Sequence, residues 1–416
     1  MHCFTIGLRL RACALVACAL AFFAAAPLRA AFEFKHHAID KDLPGVEYGE
    51  TALADLDHDG DLDFVTGAKD AERTLYWFEY SGPDTWVRHV LGRDHPSDVG
   101  GRALDVDADG WIDHVTGGAW YRNPHNPRES QFERFVFDKD LTGVHDVREG
   151  DLDGDKAPDI VTMSDRNNVR WYRRPADPGQ PWTRTDIGPS VHAGLAVGDL
   201  DGDGDNDVVR SNVWFENADG KGARWVEHPV PFGRAGEPFP RSTACVVADI
   251  NADGRNDLVM TENEIRGGTI AWLENRDGKG RDWSVHVLPP GDPDPRGAYH
   301  SLAVADFDND KDLDVFTVEM EWIKGARLPR WFIWENVDGK GATFTERVIL
   351  DNGLGGHEAV VGDVDGDGDL DICSKLWRPR ADNANGGRNH ADYLENRLIV
   401  NEPGAPPAPS RAKVEY

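Results

Sequence analysis

The chain has 416 residues, a formal net charge of -29, and 14 tryptophans against four methionines. Charge of that sign is repelled by phosphate backbones and anionic lipid surfaces, which excludes nucleic acid as a partner. Frequent glycine, proline and aromatic residues favour many short strands joined by tight turns.

In chain order, the first element reads as an export signal. Arg9 and Arg11 form a basic start, an apolar run extends from Ala12 to Ala26, and Pro27 to Ala30 makes a cleavage region that leaves Ala31 first in the mature chain. The run is too short for a transmembrane helix, so a secreted or periplasmic protein without a membrane span is expected. Leu15-Val16-Ala17-Cys18 also reads as a lipobox, and a lipid anchor on Cys18 is the alternative processing. Three of the five cysteines lie in this segment. Cys245 and Cys373 remain, each in a strand beside an acidic loop, which is not a disulfide framework.

Next comes an isolated strand, Phe32 to Ile39. After it, one pattern recurs seven times: Asp-x-Asp-x-Asp-x-x-x-Asp. The copies are Asp55, Asp57, Asp59, Asp63; Asp105, Asp107, Asp109, Asp113; Asp151, Asp153, Asp155, Asp159; and Asp199, Asp201, Asp203, Asp207. They continue with Asp249, Asn251, Asp253, Asp257; Asp306, Asp308, Asp310, Asp314; and Asp363, Asp365, Asp367, Asp371. By subtraction, successive first aspartates are 50, 46, 48, 50, 57 and 57 residues apart, the mark of a repeat architecture.

Calcium takes six to eight oxygen ligands in a flexible shell, and alternate residues of a tight loop can aim carboxylates at one ion. Up to seven structural calcium sites are therefore expected. Glycine at the sixth place permits the positive φ of a sharp turn, and Gly60, Gly110, Gly204, Gly254 and Gly368 supply it. Lys156 and Lys311 stand there in loops 3 and 6, which are expected to be the weakest or most distorted. An EF-hand would need a bidentate glutamate at the twelfth place. Thr66, Thr116, Thr162, Arg210, Met260, Thr317 and Ser374 occupy it, and the flanks read as strands.

Each loop is followed by a β-rich strand such as Phe64-Val65-Thr66, then an aromatic strand such as Trp77-Phe78 or Trp214-Phe215. A turn follows, Asp-Gly-Lys-Gly at 219–222, 277–280 and 338–341, and then a last strand. Four strands per repeat predict an all-β, seven-bladed β-propeller of four-stranded blades. The seventh repeat lacks its fourth strand, and the isolated N-terminal strand is expected to complete that blade and close the ring. The divisions are thus signal 1–30, propeller 31–401, and a disordered Pro- and Ala-rich tail 402–416. A monomer is expected.

The loop followed by a β-rich strand and Gly67-Ala68 resembles the FG-GAP or VCBS repeat family, whose members form calcium-binding propellers best known from integrin α subunits. The resemblance covers nearly all of residues 32–401. More distantly, Trp214-Phe215-Glu216-Asn217 with the turn ending at Gly222 is similar to the propeller part of aldos-2-ulose dehydratases. That second resemblance implies sugar chemistry, but those proteins carry further domains.

A propeller places ligands at one mouth of its central channel, where loops entering the first strands and leaving the second strands meet. His145, His300 and His357 each lie six places before the first Asp of their loop, and His192 lies one place further out. With Lys375 these are the candidate catalytic residues, because histidine and a desolvated lysine act as bases and histidine also ligates metals. Arg102, Arg210, Arg241, Glu262, Glu319, Arg378 and Arg380 are candidate ligand-binding residues at the same mouth, with Asp165, Glu264, Glu321, Glu358 and His390 nearby. Two functions follow. One is an extracytoplasmic recognition module for carbohydrate. The other is a carbon-oxygen lyase or dehydratase acting on a sugar or polysaccharide, with a further divalent metal at the mouth.

Overall fold

The Asp-rich loops are tight turns between the first and second strands of each repeat. The structure, a computed structural model, describes residues 32–96, 99–233, 242–291, 298–321 and 328–398. The signal 1–30, the tail 402–416 and Arg241 lie outside the described residues. Within the described residues, the strands form seven antiparallel sheets of four. In blade 1 these are Tyr48–Ala54, Asp63–Ala68, Leu75–Tyr80 and Trp86–Gly92, in that order. Five more blades repeat the plan. The seventh takes His357–Gly362, Asp371–Lys375 and Ala391–Asn396, and its fourth strand is Phe34–Asp40 from the other end of the chain. First strands of adjacent blades touch all the way round, from blade 1 to blade 7 and back. The protein is a seven-bladed β-propeller.

The core is divided among the blade interfaces. One apolar cluster lies between each adjacent pair of blades. Trp77, Val65 and Leu56 of blade 1 meet Ala119 and Tyr121 of blade 2. Trp214 and Leu200 of blade 4 meet Cys245 and Leu258 of blade 5. Burial of each such large side chain contributes about 1.5–3 kcal/mol. Cys245 and Cys373 are both buried and unbridged, behaving as small hydrophobes.

The ninth aspartate of each loop is a buried latch. One oxygen of Asp63 accepts the N–H of Leu56 (3.0 Å) and the other accepts that of Tyr80 (3.1 Å). Asp207 holds Leu200 and Asn217 in the same way, and Asp257 holds Ile250 and Asn275. The loop is thereby tied to the end of the third strand. The residue held there then reaches into the preceding blade. Asn123, Asn217, Asn275, Asn336 and Asn396 donate from Nδ2 to the carbonyls of Leu56, Leu152, Leu200, Ile250 and Phe307. Arg174 does the same for Val106, and the Leu62 N–H for Val364. Every blade junction, including the closing one, therefore carries a hydrogen bond to the carbonyl at the second place of a loop.

The Asp-Gly-Lys-Gly turns serve the same junctions. The N–H groups of Gly222, Gly280 and Gly341 donate to Asn217, Asn275 and Asn336, so these asparagines are satisfied at both ends. All three glycines have positive φ, and a Cβ would come within 2.4, 2.7 and 2.6 Å of Trp171, Trp214 and Trp272 of the preceding blade. Only glycine lets the turn lie on the indole.

Asn275→Ala strands the carbonyls of Leu200 and Asn256 and the N–H of Gly280. Leaving buried groups unsatisfied costs about 1–3 kcal/mol each. Denaturant unfolding is expected to show a loss of about 2–5 kcal/mol, and a loss within experimental error of zero contradicts this role for Asn275.

Candidate functional site

The first strand of each blade runs between two functional ends. At its far end lies the acidic loop; at its start lies the channel mouth.

In each loop the first aspartate accepts backbone N–H groups from further along the turn. Asp55 takes those of Asp59 and Gly60, and Asp249 those of Asp253 and Gly254. The sixth place has positive φ throughout, and Lys156 (φ 70) and Lys311 (φ 81) adopt it as the glycines do. The turn is thus kept in loops 3 and 6, and the lysines carry a backbone strain there that glycine avoids. The fourth place is left-handed in all seven loops as well, including His58, Ala108, Ala252 and Asn309, which no glycine signalled.

Carboxylates crowd together in these loops. Asp55, Asp57 and Asp59 place one oxygen each within 4.8 Å of one another, as do groups in loops 2, 3 and 4. Asp201 Oδ1 and Asp363 Oδ1 are buried without a hydrogen-bond partner. Buried oxygens of that kind call for a cation. The loops are able to chelate divalent metal. Burial, reinforced by neighbouring carboxylates, pushes the ninth aspartates up, Asp63 to about 9, Asp113 to about 7, Asp207 to about 8 and Asp257 to about 7.

The mouth is a pocket of about 290 Å³ lined by His145, His192, His300 and His357, with Asp165, Glu264, Lys69, Met320 and Trp377. The four histidines come from blades 3, 4, 6 and 7. His145 and His192 ring centroids are 4.4 Å apart, His145 and His300 5.9 Å, and His300 and His357 stack at 3.7 Å. Register breaks aim three of them, His145, His300 and His357, inward. The pairing of Val144–Gly150 with its neighbour shifts at His145, and that of Tyr299–Ala305 shifts at His300. In blade 7 the shift falls between His357 and Val360, and Glu358 there has φ 55. Such bulges redirect side chains, and strain of this kind is characteristic of functional sites.

Burial, helped by each other's proximity and by Lys375, keeps His357 well below the usual imidazole range, and burial lowers His300 too. Both are neutral at pH 7. His192 is the opposite. The Glu264 carboxylate 3.7 Å from Nε2, aided by Asp165 hydrogen-bonded to Nδ1 at 2.8 Å, raises it to about 9, and the same ion pair brings Glu264 down to about 2. Burial opposes ionisation of Glu358, but its contact with His300 Nδ1 at 3.4 Å prevails and lowers its pKa. His300, His357 and Glu358 offer ligand atoms all within 4.8 Å of one another. Two neutral imidazoles and a carboxylate fit a zinc-, manganese- or iron-class ion better than calcium.

Lys375 is not at the pocket surface. It is buried behind His357, with Nζ 3.2 Å from Nδ1 and donating to the Tyr48 carbonyl, and burial brings it down to about 8. The other candidates scatter. Arg102 lies deeper in the channel, beside Glu149 (3.1 Å). Arg210 is buried and bonds Asn212. Glu262 accepts the Thr269 N–H and Glu319 that of Arg330, so both are taken up by their own blades rather than facing a ligand. Arg378 pairs with Glu47, and Arg380 with Asp382. His390 is buried against Asp392, and buried Glu321, pushed to about 7 by desolvation, caps the Trp377 and Arg378 N–H groups. Lys69 and Trp377 are the residues that sequence reasoning missed. Trp377 belongs to the long seventh loop, which was the available signal.

The family description "FG-GAP-like repeat" matches residues 118–209 and 249–317, so the chain carries FG-GAP-like repeats. Two solved structures of BBS1N in complex with ARL6DN, one soaked with mercury and one with lead, are similar at TM-score 0.52 and 10% identity. They cover 86% of this chain and 97% and 98% of theirs. The V. cholerae biofilm matrix protein Bap1 gives TM-score 0.37 at 12% identity over 88% of this chain and 70% of that one. At such identity the likeness to the two BBS1N structures shows the fold alone. No curated protein sequence matches the chain. Among the described residues no helix is long and apolar enough to cross a membrane.

The raised aspartates give a pH dependence with a definite sign. Their folded pKa values exceed the unfolded value of 3.8, so protonation stabilises the cation-free fold and that stability is lost as pH rises through the folded values. In chelator, Tm is expected to fall between about pH 4 and 9, and excess divalent cation to remove the fall. A flat or rising Tm in chelator contradicts the shifts.

Proposed function

We propose that the protein is an exported, calcium-stabilised propeller whose histidine-lined mouth acts on a carbohydrate as a metal-assisted carbon-oxygen lyase. The observation that carries this reading is the convergence of His145, His192, His300 and His357 on one pocket, with His192 cationic and His357 neutral. His300, His357 and Glu358 would hold the divalent ion. When bound it would orient an acid or carbonyl group of the sugar and withdraw charge from the adjacent carbon. Ligation through His357 Nε2 requires the proton to sit on Nδ1, and Lys375, which gives up its own proton near pH 8, can accept that hydrogen bond in its neutral form. Lys375 is thus a positioning residue.

His145, whose Nδ1 is buried without a hydrogen-bond partner, removes the proton from the carbon next to the acid or carbonyl. The C–H electron pair becomes the new C=C bond and the C–O bond beyond it breaks. The cationic His192, held by Asp165 and Glu264, gives its proton to the departing oxygen. Trp377 and Lys69 form the other wall, with Nζ 4.0 Å from the indole centroid. That pair favours a second reading, recognition of an acidic sugar on an aromatic platform without turnover.

His145→Gln and His300→Ala are each expected to lower turnover of a uronic-acid or ketose substrate by about 100-fold or more, with melting and its response to calcium unchanged. Full turnover in both refutes the residue assignment. Wild-type binding of an acidic oligosaccharide without product, lost in Trp377→Ala, selects the second reading.

A further inference from the structure

The seven loops are not equivalent, and the difference lies in residues outside the repeated aspartates. At the end of the third strand, blades 1, 4, 5, 6 and 7 carry Glu79, Glu216, Glu274, Glu335 and Glu395. In these blades the glutamate pairs with the fourth strand: His89 at 2.9 Å, His228 at 2.7 Å, His286 at 3.0 Å, Arg347 at 2.6 Å and His37 at 3.1 Å. Blades 2 and 3 carry Arg122 and Arg173 at the same place. Their guanidinium groups turn into their own acidic loops. Arg122 Nε is 2.6 Å from Asp107 Oδ2, and its Nη2 is 3.4 Å from Asp109 Oδ2. Arg173 Nε contacts Asp153, and its Nη2 is 3.9 Å from Asp155.

A second feature separates loops 2 and 3 from loops 4 and 7. The seventh place is Asp205 in loop 4 and Asp369 in loop 7, giving five carboxylates each. It is Trp111 in loop 2 and Ala157 in loop 3, leaving four. Loop 3 also has Lys156. In loop 4, Asp201 Oδ1 and Asp205 Oδ1 are buried without a hydrogen-bond partner, and so is Asp363 Oδ1 in loop 7. Asp107 Oδ1 and Asp153 Oδ2 also lack a well-formed hydrogen bond, but there a guanidinium stands against the carboxylate.

We propose that Arg122 and Arg173 are built-in counter-ions that take the place of the divalent cation in loops 2 and 3, so that cation binding belongs to loops such as 4 and 7, where no guanidinium is paired with the third-place carboxylate. Calcium needs its carboxylate oxygens at 2.3–2.6 Å. The third-place carboxylate cannot offer that oxygen while a guanidinium nitrogen occupies it. The strands of blades 2 and 3 are then braced whatever the cation concentration. Loops 4 and 7 gain that extra brace only when cation is present, on top of the latch and junction hydrogen bonds that every blade has. This rests on the calcium reading above for loops 4 and 7, but not for the arginines.

The test is calcium content and Tm of the full-length protein and three variants. R122Q/R173Q is expected to gain about two bound ions per chain, and to melt lower than wild type in chelator but not in excess calcium. D107N/D153N is expected to leave the wild-type ion count unchanged, and D201N/D365N to lower it by about two. An unchanged ion count in R122Q/R173Q, or a loss of ions in D107N/D153N, overturns the proposal. Wild type holding no calcium at all would refute the calcium reading by itself. The proposal then stands or falls on R122Q/R173Q in chelator, where an unchanged Tm overturns it.

Discussion

The hydrogen bond that each blade sends to the second-place carbonyl of the neighbouring loop is the constraint on which the rest depends. A blade is a small sheet with little core of its own; its apolar residues are buried only against the next blade. The ring therefore needs each neighbour fixed in angle and height. The loop does this because its ninth aspartate locks the turn to the end of the third strand, and the residue locked there reaches across the junction. Acid that is costly to bury is thus placed where it organises the assembly, and a cation would relieve the repulsion that remains.

The opposite mouth inherits this rigidity and departs from the symmetry. The strand that leads into Asp363 runs from His357 to Gly362, so a fixed loop fixes the start of the strand within about 20 Å of it. Register breaks in blades 3, 6 and 7 then turn His145, His300 and Glu358 inward. In blade 1 the corresponding break holds Glu50, which is fully buried against His95 (3.0 Å) and His114 (2.9 Å). The same local device serves a blade junction in one place and a pocket in another. Neighbouring glycines decide the difference: a Cβ at Gly101 would stand 2.3 Å from the Glu50 carboxylate.

Periodic features were legible in the sequence. The aspartate spacing, the alternating strands and the isolated Phe32 to Ile39 segment specified seven blades and the closure, because repeats expose their own period. The histidines at fixed offsets from the loops were legible for the same reason. What could not be read were departures from period that depend on long-range packing. Lys69 and Trp377 come together from opposite ends of the chain. Glu262 and Glu319 look like free acids at a rim, yet they cap backbone N–H groups within their own hairpins. Lys375 looks like a base, yet it lies behind the residue it supports. Charge and position along the chain say nothing of which way a side chain turns at a bulge.

The central claim is that one end of the ring is held by acidic cation loops and the other presents a separate histidine centre. Elemental analysis of the purified protein after exhaustive dialysis tests it most directly. The account predicts several calcium ions per chain together with about one ion of the zinc, manganese or iron class, the latter lost from His300→Ala/His357→Ala while calcium stays. A protein free of divalent metal, or one whose transition-metal content is unaffected by those substitutions, would contradict it.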